Sequence, residues 1–203
     1  RRYNPDIFFG PRPTNSSLVR RFGFRFDPEI TTDTANRSLT RNWNIYPFEV
    51  VFQSGDSFLF RISPTDERLV QDFEISDGVV LPGGTEHSFT RYHLDARTAG
   101  RRTVSVSAQY EDGTFFTGDR RDFSLNLGIR PRAGVLINLE NEWNRIELSE
   151  GNFSTRVHRL NVNTQFSPRI FTVNNFQYDS VSRILGWQMR FRWILRPGND
   201  LHF

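Results

Sequence analysis

The chain has 203 residues, no cysteine and a formal net charge of +3, from 26 basic and 23 acidic residues. The missing cysteines exclude disulfides, thiolate catalysis and cysteine-ligated zinc. No window holds the roughly 18 apolar residues that a membrane-spanning helix needs. The hydrophobic fraction of 36% still allows a transmembrane barrel, because such a barrel places only alternate residues in lipid.

All 26 basic residues are arginines. A basic chain raises nucleic acid as a partner, but these arginines are spread along the sequence and interleaved with carboxylates. They form no single patch that would track a phosphate backbone, so we expect no nucleic-acid partner. Mixed arginine and carboxylate side chains are instead typical of the lumen of a barrel.

The first strands carry an aromatic face. Residues 6–9 indicate the end of a strand, and residues 10–17 a reversal. In residues 18–26 phenylalanine alternates with arginine and glycine, which predicts a strand with one aromatic side. The polar residues 27–37 then predict a loop.

Residues 38–52 predict an extended segment. Pro47 lacks an N–H for the strand ladder, so we expect a bulge or a strand edge there. The turn residues 53–56 predict a tight hairpin whose return strand continues to residue 62. The acidic residues 64–86 predict a long connection, and connections of that length are usually functional or mobile.

Period-2 alternation continues through the middle of the chain. It predicts further strands over residues 87–94, 103–110, 122–130, 135–143, 153–166 and 170–178. In the fourth of these, Glu140 and Glu142 share the side opposite the apolar residues. These carboxylates could serve acid–base chemistry, but pairing with arginines of neighbouring strands is the interpretation we favour.

Residues 184–195 show the alternation most clearly. Arg190 and Arg192 lie on one parity, and the other carries Trp187, Met189, Phe191, Trp193 and Leu195. The run is longer than an ordinary strand of about five or six residues, and matches the roughly 9–11 tilted residues that cross a bilayer. Residues 196–200 predict a tight turn, because proline, glycine and asparagine suit a reversal.

The predicted connections also alternate in length. Those near residues 27–37, 64–86, 111–121, 145–153 and 179–183 are mostly longer than the connections between them. Short turns on one side and longer loops on the other are typical of outer-membrane barrels. The sequence therefore predicts an all-β, antiparallel up-and-down meander of about eleven strands, part of a transmembrane β-barrel.

Several motifs resemble one family. SSLVRRFGF, FEIS followed by GVVLPGG, EGNFSTRVHRLNVNTQFSPR, YDSVS and RFRWILRPGNDL occur in the order found in the carboxy-terminal barrel, of the DUF5916 type, of large bacterial proteins. Those proteins carry an amino-terminal family-9-like carbohydrate-binding sandwich. The resemblance covers essentially the whole chain and implies a Gram-negative outer-membrane location.

The chain also departs from that family. The carbohydrate-binding sandwich is absent, so sugar binding is carried over to no residue. Family members continue beyond Phe203, so residues 1–203 are expected to be one barrel-like domain from a longer chain. We expect the short chain alone not to close into a heat-resistant barrel, because the strand beginning at Leu201 is unfinished.

Catalytic, cofactor and metal sites are not predicted. The four histidines lack metal-ligand spacing, and no sequence supports a catalytic triad. Polar residues expected to line a lumen are Arg190, Arg192, Glu140, Glu142, Asn161 and Asn163. Aromatic residues expected to face lipid or a partner are Trp187, Phe191, Trp193 and Trp143. For the aromatic residues a membrane-interface girdle is favoured, with the core of a soluble sandwich and a sugar-stacking platform as alternatives.

The sequence therefore predicts a non-enzymatic outer-membrane barrel with a channel, uptake or anchoring role and the lipid bilayer as its main partner. The alternative is a β-rich structural or accessory subunit of a larger membrane-associated complex. Such a subunit would lie at the periplasmic face of the membrane and pack its apolar face against other subunits.

Overall fold

A computed structural model describes residues 1–196 and 199–202. In these residues the chain is all-β, which confirms the predicted class, and no helix is present that could cross a membrane. The strands are β1 (Arg2–Tyr3), β2 (Ile7–Phe9), β3 (Val19–Thr32), β4 (Ser38–Phe52), β5 (Ser57–Arg68), β6 (Phe73–Ser76), β7 (Val79–Leu81), β8 (Glu86–Arg97), β9 (Val104–Phe115), β10 (Gly118–Arg132), β11 (Val135–Leu148), β12 (Gly151–Ser167), β13 (Ile170–Asp179), β14 (Ile184–Arg196) and β15 (Asn199–His202).

The main sheet is an antiparallel meander, as predicted. Its strand order is β1-β3-β4-β5-β8-β9-β10-β11-β12-β13-β14-β15, and β2 also pairs with β3. Strands β6 and β7 form a separate two-stranded sheet. Within the described residues, the first and last strands of the main sheet, β1 and β15, do not pair with each other.

Most strands of the main sheet are long. Strands β3 to β5 and β8 to β14 span 10 to 17 residues, against about five or six in an ordinary strand. The predicted loop over residues 27–37 is wrong for its first half, because β3 continues to Thr32. Its polar residues stay extended because they lie opposite polar residues of β4; Asp27 pairs with Asn44, and Glu29 with Asn42.

The predicted sorting of the connections by length is also wrong. The connections expected near residues 111–121 and 145–153 are two-residue turns, at 116–117 and 149–150, as short as the turn at 133–134. The charged residues around these turns belong to the strands. The turn at 116–117 holds Phe116 at φ +49, a left-handed conformation that is unusual for a bulky residue.

Two local predictions are confirmed. The register between β4 and β5 shifts between Ile45 and Phe48, which places a bulge at Pro47. The hairpin after β4 closes with the amide of Gly55 donating to the carbonyl of Phe52 at 3.0 Å. Gly55 has φ +89, which a glycine adopts without steric cost.

The connection predicted over residues 64–86 is structured. Strand β5 extends to Arg68, and β6 and β7 form a hairpin before β8 begins. Leu81 on β7 is 0% exposed. Five buried residues form the apolar cluster around it: Leu69, Val79, Leu81, Ile146 and Leu148.

The chain divides into two compact units. The first comprises residues 1–96, 109–123 and 144–154, and the second comprises residues 97–108, 124–143 and 155–203. The predicted turn over 196–200 includes Pro197 and Gly198, which lie outside the described residues, as does Phe203.

Candidate functional site

Strand register places polar residues of the second unit on one side of the sheet. Asn161 on β12 lies opposite Asn175 on β13. Asn163 lies opposite Val173, which in turn lies opposite Arg190 on β14. Residues directly opposite in an antiparallel pair share a face, so these polar side chains lie on the same side.

Arg192 lies on the same side as Arg190, two residues further along β14. It pairs in register with Phe171, and its guanidinium carbon lies 5.5 Å from the Phe171 ring centroid. A cation over an aromatic face at this distance is attracted by the ring quadrupole. This contact orients the Arg192 side chain along the sheet.

Glu140 and Glu142 meet one arginine. Arg159 Nη1 lies 2.7 Å from Glu142 Oε1 and 3.7 Å from Glu140 Oε2, which confirms the expected pairing with an arginine of a neighbouring strand. Asn126 Nδ2 donates to Glu140 Oε1 at 3.3 Å. Arg159 and Asn161 are two residues apart on β12, so the carboxylates lie on the side that carries Asn161. We call this surface the polar face of the second unit; it carries Glu140, Glu142, Asn161, Asn163, Arg190 and Arg192.

Aromatic residues occupy the opposite side. Phe176 pairs with Trp187, and their rings stack with centroids 5.8 Å apart and an interplanar angle of 2°. His158 pairs with Tyr178, two residues from Phe176, and lies edge-on to Trp143 with centroids 6.0 Å apart. We call this surface the apolar face of the second unit; it carries Trp143, Trp187, Phe191 and Trp193.

The first unit contains an ionic network around a buried arginine, Arg91, that the sequence did not predict. Arg91 on β8 donates from Nε to Glu111 Oε1 at 3.0 Å and from Nη2 to Asp122 Oδ2 at 2.7 Å. Arg61 Nη2 and His93 Nδ1 each lie 3.0 Å from Glu111 Oε2. The side chains come from four strands, β5, β8, β9 and β10.

A second arginine extends this network to an aromatic ring. Arg120 Nε lies 2.9 Å from Asp122 Oδ2. The guanidinium carbons of Arg120 and Arg91 lie 5.0 and 5.8 Å from the Phe115 ring centroid. Both cations therefore combine carboxylate pairing with a cation–π contact, which keeps them ordered on the side of the sheet that carries Glu111.

Over residues 91–95 of β8, burial is the reverse of that in a water-soluble sheet, although Phe89, on the same side as Arg91, is also buried. Arg91 and Asp95 are each 5% exposed, whereas Tyr92 and Leu94, on the other side of the same strand, are 49% and 39% exposed. Charged residues are almost never fully buried unless they are paired. The pairing of Arg91 explains why its burial is tolerated; the exposure of the apolar side needs a separate explanation.

A cavity of about 530 Å³ opens in the second unit. Its lining includes Arg130, Arg132, Asn163 and Phe171. The Oδ1 atom of Asn163 is buried without a hydrogen-bond partner. The cavity therefore combines cationic and amide groups with an aromatic wall.

No metal site is evident. Within residues 1–196 and 199–202, no group of three or more histidines and carboxylates is arranged to hold a metal ion. Of the two histidines of β8, His93 contacts Glu111, whereas His87 contacts Thr85 Oγ1 at 2.8 Å. The two rings have separate partners.

Comparisons with known proteins leave the family open. The chain matches no family model, no curated protein and no solved structure. The family resemblance of its motifs therefore stays a prediction.

One feature of the sequence indicates part of the Arg91 network. Arg91, His93 and Asp95 share one parity of β8, as do the candidate lumen residues of later strands. Alternation alone does not reveal that Glu111 and Asp122 complete the network. The sequence predicts a loop over residues 111–121, which contains Glu111 and ends beside Asp122, and only the sheet register brings both carboxylates beside Arg91.

Proposed function

We propose that this chain forms part of the wall of an outer-membrane β-barrel with a non-enzymatic channel, uptake or anchoring role. The polar side of the sheet lines a water-filled lumen, and the apolar side meets lipid. In this arrangement each strand alternates between the two environments, as transmembrane barrel strands do.

The reversed burial over residues 91–95 of β8 carries this proposal. In a soluble sheet Tyr92 and Leu94 would face the core, and Arg91 and Asp95 would face water, because burying apolar area is favourable and burying charge is costly. The observed pattern suits a strand between lipid and an aqueous lumen. Trp187 and Met189 on the apolar side of β14 are 63% and 48% exposed. Gln188 and Arg190 on its polar side are exposed too, so β14 adds exposed apolar area without buried charge.

Strand length supports the same assignment. The main-sheet strands β3 to β5 and β8 to β12 span 12 to 17 residues, and about 9–11 tilted residues cross the hydrocarbon core. Each strand is long enough to span and to project beyond the bilayer. The resemblance to the bacterial barrel family supports the outer membrane as the location.

The edge strands of the main sheet, β1 and β15, favour a second candidate function. Unsatisfied backbone groups cannot stay exposed to lipid, and in the described residues β1 and β15 do not pair with each other. A structural subunit of a membrane-associated complex would cover such edges, and the apolar side, with other polypeptides.

The experiment starts from the membrane fraction of a Gram-negative expression host. We expect the natural polypeptide that contains residues 1–203 to need detergent for extraction, to run as a single polypeptide and to produce discrete conductance steps in planar bilayers. Co-purification with other polypeptides in a fixed ratio, without conductance, would favour the structural subunit. Recovery as a soluble monomer without detergent would contradict both.

A further inference from the structure

The β6–β7 hairpin is a defined element with a closed base. The amide of Leu69 donates to the carbonyl of Thr85 at 3.0 Å, and the amide of Gly84 donates to the carbonyl of Leu69 at 2.7 Å. Gly83 donates to Asp72 Oδ1 at 2.8 Å. These hydrogen bonds join the start and the end of the connection, so the hairpin is a single structural unit.

The hairpin packs on the side of the sheet that carries the ionic network. The ring of Phe115 contacts the guanidinium groups of Arg91 and Arg120. It also packs against the apolar cluster that contains Leu81. Ile146 and Leu148 of β11 belong to the same cluster. The hairpin therefore covers one end of the polar side of the first unit.

Charged pairs occupy the other side of the sheet at this end. Arg121 Nε lies 3.0 Å from Asp112 Oδ1, and Arg145 Nη2 lies 2.5 Å from Glu147 Oε1. These side chains are well exposed. Exposed charges do not suit lipid, so this end of the strands projects beyond the hydrocarbon layer, where a cap over the lumen would meet water.

The hairpin is only weakly attached to the rest of the first unit. Within the described residues, β6 and β7 pair only with each other, and a lone two-stranded hairpin is marginally stable in water. The apolar cluster around Leu81 and the bonds at the base hold it in place. Lifting it would break side-chain packing without breaking any ladder bond of the main sheet.

We propose that the β6–β7 hairpin is a lid that closes one mouth of the lumen and controls the passage of water and small polar solutes. This inference rests on the proposed barrel function. The closed position is the one described here, with Leu81 buried in the cluster. Opening exposes the polar side of the first unit and its Arg91 network.

A disulfide staple can lock the closed position. A Cβ atom built on Gly151 would lie 3.8 Å from the Cβ of Val79, which matches the mean separation of about 3.8 Å in disulfides. Residues 1–203 contain no cysteine, so V79C/G151C introduces a single possible pair within them. Gly151 has φ +157, which strains a cysteine there, so the comparison is made between redox states of one protein.

The experiment measures glucose influx by osmotic swelling into liposomes that hold the natural polypeptide containing residues 1–203. We expect the reduced double variant to admit glucose and the oxidised one to be slower by about tenfold or more, as when a minor open state is removed. Mass spectrometry verifies the disulfide, and V79C and G151C alone should not respond to oxidant. Equal influx in both redox states, with the disulfide formed, would overturn the lid and leave the barrel standing.

A second pair of variants tests the lid in the opposite direction. L81D places a charge in the buried cluster and should raise glucose influx. V80D is the matched control, because Val80 is its exposed neighbour on the same strand. Equal influx through both variants would contradict the lid.

Amide hydrogen exchange separates failure of the lid from failure of the barrel. Oxidation of V79C/G151C should slow exchange over residues 69–84, which comprise the hairpin and the amides that close its base, a readout of local opening that needs no pore. Slowed exchange without glucose influx in any variant, L81D included, would reject the barrel function and keep the hairpin as a closing element. Unchanged exchange on oxidation would reject the lid.

Discussion

Arg91 Nη2 lies 2.7 Å from Asp122 Oδ2, and the Arg91 side chain is only 6% exposed. The same guanidinium also donates to Glu111 and to the carbonyl of Arg120. One buried cation therefore joins β8, β9 and β10. Loss of this cation would leave Glu111 with Arg61 and Asp122 with Arg120, but would remove the link between the two carboxylates.

We expect R91L to destabilise the fold. Removing one partner of a buried ion pair costs about 3–5 kcal/mol when the remaining charge is left uncompensated. We expect a smaller loss than that here, because Arg61 still faces Glu111 and Arg120 still faces Asp122. Urea unfolding in detergent, followed by tryptophan fluorescence, measures the change. R121L is the matched control, because Arg121 pairs with Asp112 at an exposed site and should show no measurable loss. Equal stability of the two variants would contradict a structural role for the Arg91 network.

The two faces of β14 should differ in their tolerance of charge. F191R places a cation on the apolar face of the second unit, which costs about 2–4 kcal/mol near the bilayer midplane. R190F changes the neighbouring position on the polar face and should impair insertion less. The measurement is the fraction of each variant that resists urea extraction from lipid vesicles. Equal insertion of both would reject the lipid-facing assignment.

All four tryptophans should contact lipid. Trp143, Trp187 and Trp193 lie on the apolar face of the second unit, and Trp43 stacks on Phe26 with centroids 6.2 Å apart. In vesicles with brominated acyl chains we expect strong quenching of their fluorescence, and in plain vesicles little quenching by aqueous iodide. The reverse result would place these rings in water or against protein.

The carboxylates beside Arg159 should set ion preference if the polar side lines a pore. E140Q/E142Q leaves Arg159 as an uncompensated cation. We expect the preference to move towards anions by about fivefold, because one charge at about 4 Å is worth about 1 kcal/mol in water. Reversal potentials across a salt gradient measure this change. E147Q is the control, because Glu147 pairs with Arg145 on the other side of the sheet; the same shift in that variant would show that the effect is not local.

Much of the architecture follows from the sequence by itself. Period-2 alternation identifies the strands and separates Glu140 and Arg190 from Trp143 and Trp187, because a strand turns successive side chains to opposite faces whatever it packs against. The bulge at Pro47 also follows locally, since proline removes a ladder hydrogen bond.

Other features depend on tertiary structure alone. The polar residues 27–32 read as a loop, yet they stay in β3 because β4 presents polar partners across the ladder. Sequence alternation likewise does not show that Arg91 reaches Glu111 and Asp122. That network depends on sheet register, which the whole ladder sets.

In the β6–β7 hairpin, too, some features follow from the sequence and others only from the tertiary structure. Its glycines and acidic residues predict a connection, and its alternation is too short to indicate strands. Only the folded chain brings Leu81 onto Ile146 and Leu148, which are more than sixty residues away in the sequence. The sequence by itself determined which residues could face each side of a strand, because that is local geometry. The tertiary structure decided which of them meet, because contacts between distant strands depend on how the whole sheet is paired.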